Sequence, residues 1–163
     1  MSRINTYTLS GVAGYQTATA SFLAGGSLTV CSSFFIPAGT FVAGDVITIE
    51  AILTRIANTG NLTAAIYWNE TNDVINSPVL MGQSSSSVAD NVTPLSRFFA
   101  IISSTNTVGM STSYTQPTDL SSTTDQFLNL SLSTITSINW NVDSYIILAT
   151  SQTCTSRYFR VIK

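Results

Sequence analysis

The chain alternates between short apolar runs and polar turns, and inside the runs the repeat is two residues. Residues 46–56 read VITIEAILTRI. Ile47, Ile49, Ala51 and Leu53 fall on one face of an extended strand, which ends at Arg55. Val46, Thr48, Glu50, Ile52, Thr54 and Ile56 fall on the other. Successive strand side chains point to opposite faces, so the first set predicts a core face and the second a partly solvated one. Residues 27–36 (SLTVCSSFFI) are a second β-rich run. The link over residues 37–45 carries a proline, two glycines and an aspartate, which is turn chemistry at both ends. Gly60, in the polar stretch 57–61, offers a positive φ for a tight turn, and LTAAIYW at 62–68 follows as a strand. Further strands are expected over residues 79–83, 95–104 (LSRFFAIISS), 107–114, 126–132, 135–140, 144–149 and 157–162. In the last of these, Arg157 and Arg160 flank Tyr158 and Phe159. The four serines at 84–87 are expected at the surface.

Many short strands with turns about every 8–15 residues are the signature of a sandwich or barrel. The expectation is an all-β fold, an antiparallel β-sandwich of jelly-roll-like type with about 8–10 strands. No run of ten residues carries a helical apolar stripe. One short helix near residues 119–125, capped by Ser121 or Ser122, is the single helical candidate. No repeat or linker divides the chain. Residues 1–26, rich in Gly, Ala and Thr, read as an N-terminal arm or first strands, and 27–163 as one sandwich domain.

Charge then narrows the function classes. Asp, Glu, Lys and Arg make up 9% of the 163 residues, against roughly 25% in an average domain. Ser and Thr number 48, and the 44% hydrophobic fraction is too high for a disordered Ser/Thr tail, so the surface is polar through hydroxyls and amides. Six basic residues spread along the chain form no phosphate-binding stripe, so no nucleic-acid partner is expected. No apolar run is long enough for a transmembrane helix, so no membrane insertion is expected, and the first residues lack the apolar h-region of a signal peptide. There is no histidine. Ser-His-Asp and Cys-His activation are therefore closed to this chain, as are the usual zinc sites. The chain is expected not to be an enzyme and to use no cofactor and no metal. A carboxylate pair of glycosidase type is the one catalytic alternative the residues allow.

Candidate binding residues come from the aromatics. Trp140 lies in Ile-Asn-Trp-Asn-Val-Asp (138–143), so Trp140 and Trp68 could stack on a sugar ring while Asn139, Asn141 and Asp143 bind its hydroxyls. The competing reading places these aromatics, with Tyr67, Tyr145 and Tyr158, in the sandwich core. Asp73, Asp90, Asp119, Asp125 and Asp143 fall in loops without a calcium-loop pattern. Asn61, Asn69, Asn91 and Asn129 head Asn-x-Ser/Thr triplets, which a chain this rich in Ser, Thr and Asn contains by chance. Cys31 and Cys154 admit either a bridge between neighbouring terminal strands or two buried thiols, and a reducing compartment favours the second.

One stretch resembles a known class. Phe35-Ile-Pro-Ala-Gly-Thr-Phe-Val-Ala-Gly-Asp45, the alternating strand to Arg55, the Thr59-Gly-Asn61 turn and Ile66-Tyr-Trp-Asn-Glu-Thr-Asn72 form the pattern. Residues 138–147, Ser151-Gln-Thr153 and the closing 157–163 also fit it. The pattern resembles small β-domains of tailed-bacteriophage virion proteins, found as fibre tips, spike or baseplate modules and capsid-surface proteins. The resemblance implies a virion surface protein made in the host cytoplasm, a homotrimer in contact with other virion proteins. It implies host attachment through cell-surface polysaccharide or, alternatively, capsid decoration that stabilises the head.

Overall fold

The computed structural model describes residues 12–15, 20–22, 28–56, 62–86, 92–110 and 132–163. Among them are eleven strands and no helix, which extends the expected eight to ten. They are β1 (Val12–Tyr15), β2 (Ala20–Phe22), β3 (Thr29–Ile36), β4 (Val46–Arg55), β5 (Leu62–Asn69) and β6 (Val79–Ser86). Then come β7 (Val92–Ser103), β8 (Asn106–Met110), β9 (Leu132–Ile135), β10 (Ser144–Thr150) and β11 (Cys154–Ile162).

The strands form two antiparallel sheets. One has seven strands, in the order β1-β11-β4-β7-β8-β9, with β2 also pairing β11. The other has four, in the order β3-β10-β5-β6. From β2 to β7 the chain changes sheet at every connection except the β5–β6 hairpin, and it does so again at β9–β10 and β10–β11. Strands β2-β11-β4-β7 thus face β3-β10-β5-β6 as a jelly roll. Strands β8 and β9 extend the larger sheet beyond β7.

Alternation decides what enters the core. On β4, Ile47, Ile49, Ala51, Leu53 and Arg55 are buried, while their neighbours face solvent wholly or in part. From the other sheet, Phe34, Ile36, Leu62, Ala64, Ile66, Ile146 and Leu148 meet them. Phe34 and Phe159 stack across the two sheets with ring centroids 4.6 Å apart.

Some boundaries differ from the sequence reading. The stretch expected as a strand over 135–140 leaves the sheet after Ile135 and turns at Trp140, because Trp140 is held by its backbone as well as its ring. Strand β11 starts three residues earlier than expected, at Cys154, and absorbs an extra residue between Ser156 and Tyr158. Strand β6 continues into the serine run, to Ser86. The turn at 57–61, the helix near 119–125, the strand over 126–131 and the N-terminal residues outside β1 and β2 lie outside the described residues.

Candidate functional site

Three loops and the C-terminus gather at one end of the sandwich, and their carboxylates hold backbone. The loop at 37–45 needs positive φ at Gly39 (75°) and Gly44 (95°), a conformation in which a side chain is strained. It folds Phe41 inward, edge-on to Trp140 with centroids 5.1 Å apart. Trp140 is fixed from three directions. Its amide donates to the Ser104 carbonyl (2.8 Å), its carbonyl accepts from Gly39 (2.8 Å), and its indole Nε1 donates to Thr107 Oγ1 (2.9 Å). Asp143 Oδ1 accepts from the Ala38 amide at 2.9 Å. Asp45 Oδ2 accepts from the Val42 amide (2.8 Å) and pairs with Lys163 (2.8 Å), which also donates to the Thr40 carbonyl. Asp73 closes the 70–78 loop by accepting from the amides of Ile75 and Asn76 and from Asn76 Nδ2. The tip of that loop exposes Ile75.

These contacts set the acid response. The Lys163 ammonium and the Val42 amide hold the Asp45 carboxyl below its ordinary range. Hydrogen bonds from the Asn76 amide and side chain, the Ile75 amide and Thr71 hold Asp73 well below it. A carboxyl depressed in the folded state stabilises the fold above the unfolded pKa, and that contribution is lost as pH falls through the folded one. With no histidine to titrate, the thermal midpoint is expected to stay level from pH 7 to pH 5 and to drop below about pH 4. Scanning fluorimetry across that range checks it, and Asp73→Ala should flatten the drop.

The sequence-derived binding residues are only partly brought to the surface. Trp140 and Trp68 are core residues, 1% and 4% exposed, and meet edge-to-face at 6.5 Å. Sugar stacking needs an open ring face, and neither indole presents one. Asn141 and Asp143 are exposed at the loop end and Asn139 is half-buried, its Oδ1 accepting from the Asn141 amide. Asn69 is buried, with Nδ2 donating to the Asp73 carbonyl, so its triplet offers no acceptor for a glycan. Asn61, Asn91, Asn129, Asp90, Asp119 and Asp125 lie outside the described residues. Cys31 and Cys154 are free, buried thiols. Among the described residues no cluster of three or more His, Cys, Asp or Glu is placed to hold a metal ion.

The surface aromatics and aliphatics lie elsewhere. On the outer face of the four-stranded sheet, Phe35 of β3 and Tyr145 of β10 are register partners with ring centroids 5.4 Å apart. Phe35 is 46% exposed. On the outer face of the seven-stranded sheet, Val46 of β4 lies opposite Ala100, between the exposed Phe98 and Ile102 of β7, and the exposed Ile52 lies farther along β4, opposite Pro94. Phe98 is 54% exposed and Val46 59%. Between them and β11 sits a neutralised polar island. Glu50 Oε2 accepts from Arg160 Nη2 (2.5 Å), Arg160 Nε (3.1 Å) and the Tyr158 hydroxyl (3.2 Å). Burial raises the Tyr158 phenol above its ordinary range, which keeps it a donor. The signal for this face was present in LSRFFAIISS, where apolar residues occupy both alternating sets and so both faces of β7.

Comparison of the chain with family models, with curated proteins and with solved structures gives no match.

Proposed function

We propose that this chain is a non-enzymatic virion surface protein that assembles with copies of itself as a homotrimer and works by contact. The observation that carries the reading is the open apolar face of the seven-stranded sheet. Val46 and Ile52 of β4 and Phe98 and Ile102 of β7 are all exposed there. Grouped exposed apolar side chains on one sheet face mark interaction sites. A second copy of the chain fits it chemically. Glu50 and Arg160 on the face pair with each other, and interface centres exclude unpaired charge. Low charge density also avoids repulsion between like groups near a symmetry axis. The loop-end carboxylates Asp45, Asp73 and Asp143 hold backbone, which favours contact work over catalysis.

Light scattering on the purified chain is expected to give three times its 17.4 kDa mass. Phe98→Asp, which puts a charge on an exposed position, should weaken assembly at least about 10-fold and leave the β-type circular dichroism unchanged. A wild-type mass of 17.4 kDa at tens of micromolar, or an assembly indifferent to Phe98→Asp, would sink the reading.

Within this class, host attachment is supported by the open Phe35–Tyr145 pair, since an exposed aromatic edge with polar loops beside it suits a polysaccharide. Attachment means that the trimer binds host cells or their envelope polysaccharide and that Phe35→Ala reduces binding. Binding to capsids in place of cells means decoration of the head.

A further inference from the structure

Cys31 and Cys154 meet at the edge where the two sheets close on each other. Strand β3 is an edge of the four-stranded sheet, and it comes within 8 Å, Cα to Cα, of β11 in the larger one. In the β3–β10 ladder Ser32 lies opposite Leu148 and Val30 opposite Ala149, which leaves Cys31 as the extra residue of a bulge. A bulge interrupts alternation and re-aims a side chain. Cys31 therefore joins Phe34 and Ile36 in the core. Cys154 opens β11 and is fully buried in the same cluster. Each thiol shifts the other's protonation, so the two are neighbours within that cluster. A disulfide requires Cα atoms within about 7 Å and side chains aimed at each other, and both cysteines are buried in the one cluster formed where β3 and β11 approach.

The geometry points to an intrachain disulfide: Cys31 and Cys154 close an Sγ–Sγ bond that staples β3 of one sheet to β11 of the other. The chemistry is exchange with an external disulfide, for which oxidised glutathione serves. One cysteine thiolate attacks the glutathione disulfide, displaces one glutathione thiolate and forms a mixed disulfide. The other cysteine then loses its proton, attacks the protein sulfur of that mixed disulfide and displaces the second glutathione thiolate. Two protein thiols give up two electrons and two protons, and one glutathione disulfide becomes two glutathione thiols. Both sulfurs are buried, so exchange takes place while the sheets are still closing.

Refolding the full chain from denaturant in a glutathione redox buffer tests this. Free thiols should fall from two to zero and the mass by about 2 Da, with the two cysteine peptides joined in a non-reducing map. The bond closes a loop from residue 31 to residue 154, so the thermal midpoint should rise by roughly 10 °C over protein refolded with reductant. Cys31→Ala and Cys154→Ala should show no oxidant-dependent rise. If those variants fail to fold, the wild-type map and the pair of midpoints decide alone. Two thiols still titratable after oxidative refolding, a glutathione adduct in place of the bridge, or a cross-link between chains would each overturn the assignment.

Discussion

Trp140→Ala is expected to cost about 4 kcal/mol of folding stability, the largest single loss among the substitutions considered. The indole is fully buried between Phe41 and Trp68, so its removal leaves a cavity the size of two rings at the end of the sandwich. It also strips Thr107, itself completely buried, of the indole donor at 2.9 Å. For a domain of this length the thermal midpoint should fall by roughly 10 °C or more. Trp140→Phe separates the two contributions. It keeps an apolar ring against Phe41 and loses the Thr107 bond, so it should cost about 1–2 kcal/mol. Urea unfolding of the three proteins measures both. Loss of glycan binding by folded Trp140→Phe protein, with stability near wild type, would contradict the core role.

Arg97→Ala is expected to cost about 3–4 kcal/mol, although the removed residue is charged. Arg97 lies on the inward face of β7, between Leu95 and Phe99, and is entirely buried. One guanidinium nitrogen, Nη2, donates to the Gln83 carbonyl on β6, and Nη1 donates to the Ser96 carbonyl at 2.8 Å. The first of these bonds ties the edge of the four-stranded sheet to the larger sheet. Removal leaves a cavity and takes the guanidinium donor from a half-buried carbonyl. Gly82 makes room for the arginine stem. A Cβ at position 82 would sit 2.7 Å from Arg97 Nε and 3.0 Å from Cδ. Gly82→Ala alone should therefore cost about 1–3 kcal/mol by overpacking. In the Arg97→Ala background the same methyl has space, and its cost should nearly vanish. A double-mutant cycle by urea denaturation reads that coupling directly. Strictly additive costs would show that Arg97 and Gly82 do not share the space.

Much of the strand pattern was legible because strand alternation is a local property. The run VITIEAILTRI assigned the faces of β4 residue by residue, and burial follows that assignment from Ile47 to Arg55. The choice of core for the two tryptophans was equally open to a sequence argument, since large apolar rings bury the most area. Residues 135–140 misled because Ile138 and Trp140 are apolar yet enter the core from a turn. That turn is held by Ser104 and Gly39, distant in sequence. Arg97 carried no signal either. A charge between apolar neighbours reads as exposed until the carbonyl that accepts from it is known, and that carbonyl is on another strand.

From the sequence alone come the all-β class, the inward sets of the long strands, the exclusion of histidine chemistry and a surface of hydroxyls. Each depends on residue type and on neighbours one or two positions away. Tertiary structure alone decided the sheet order, the meeting of Cys31 with Cys154 and the replacement of the indoles by Phe35 and Tyr145 as the open aromatic pair. It also decided which face of β7 was left bare. Those outcomes rest on pairings between strands far apart along the chain, where register, bulges and loop reach select one arrangement among many with the same local pattern.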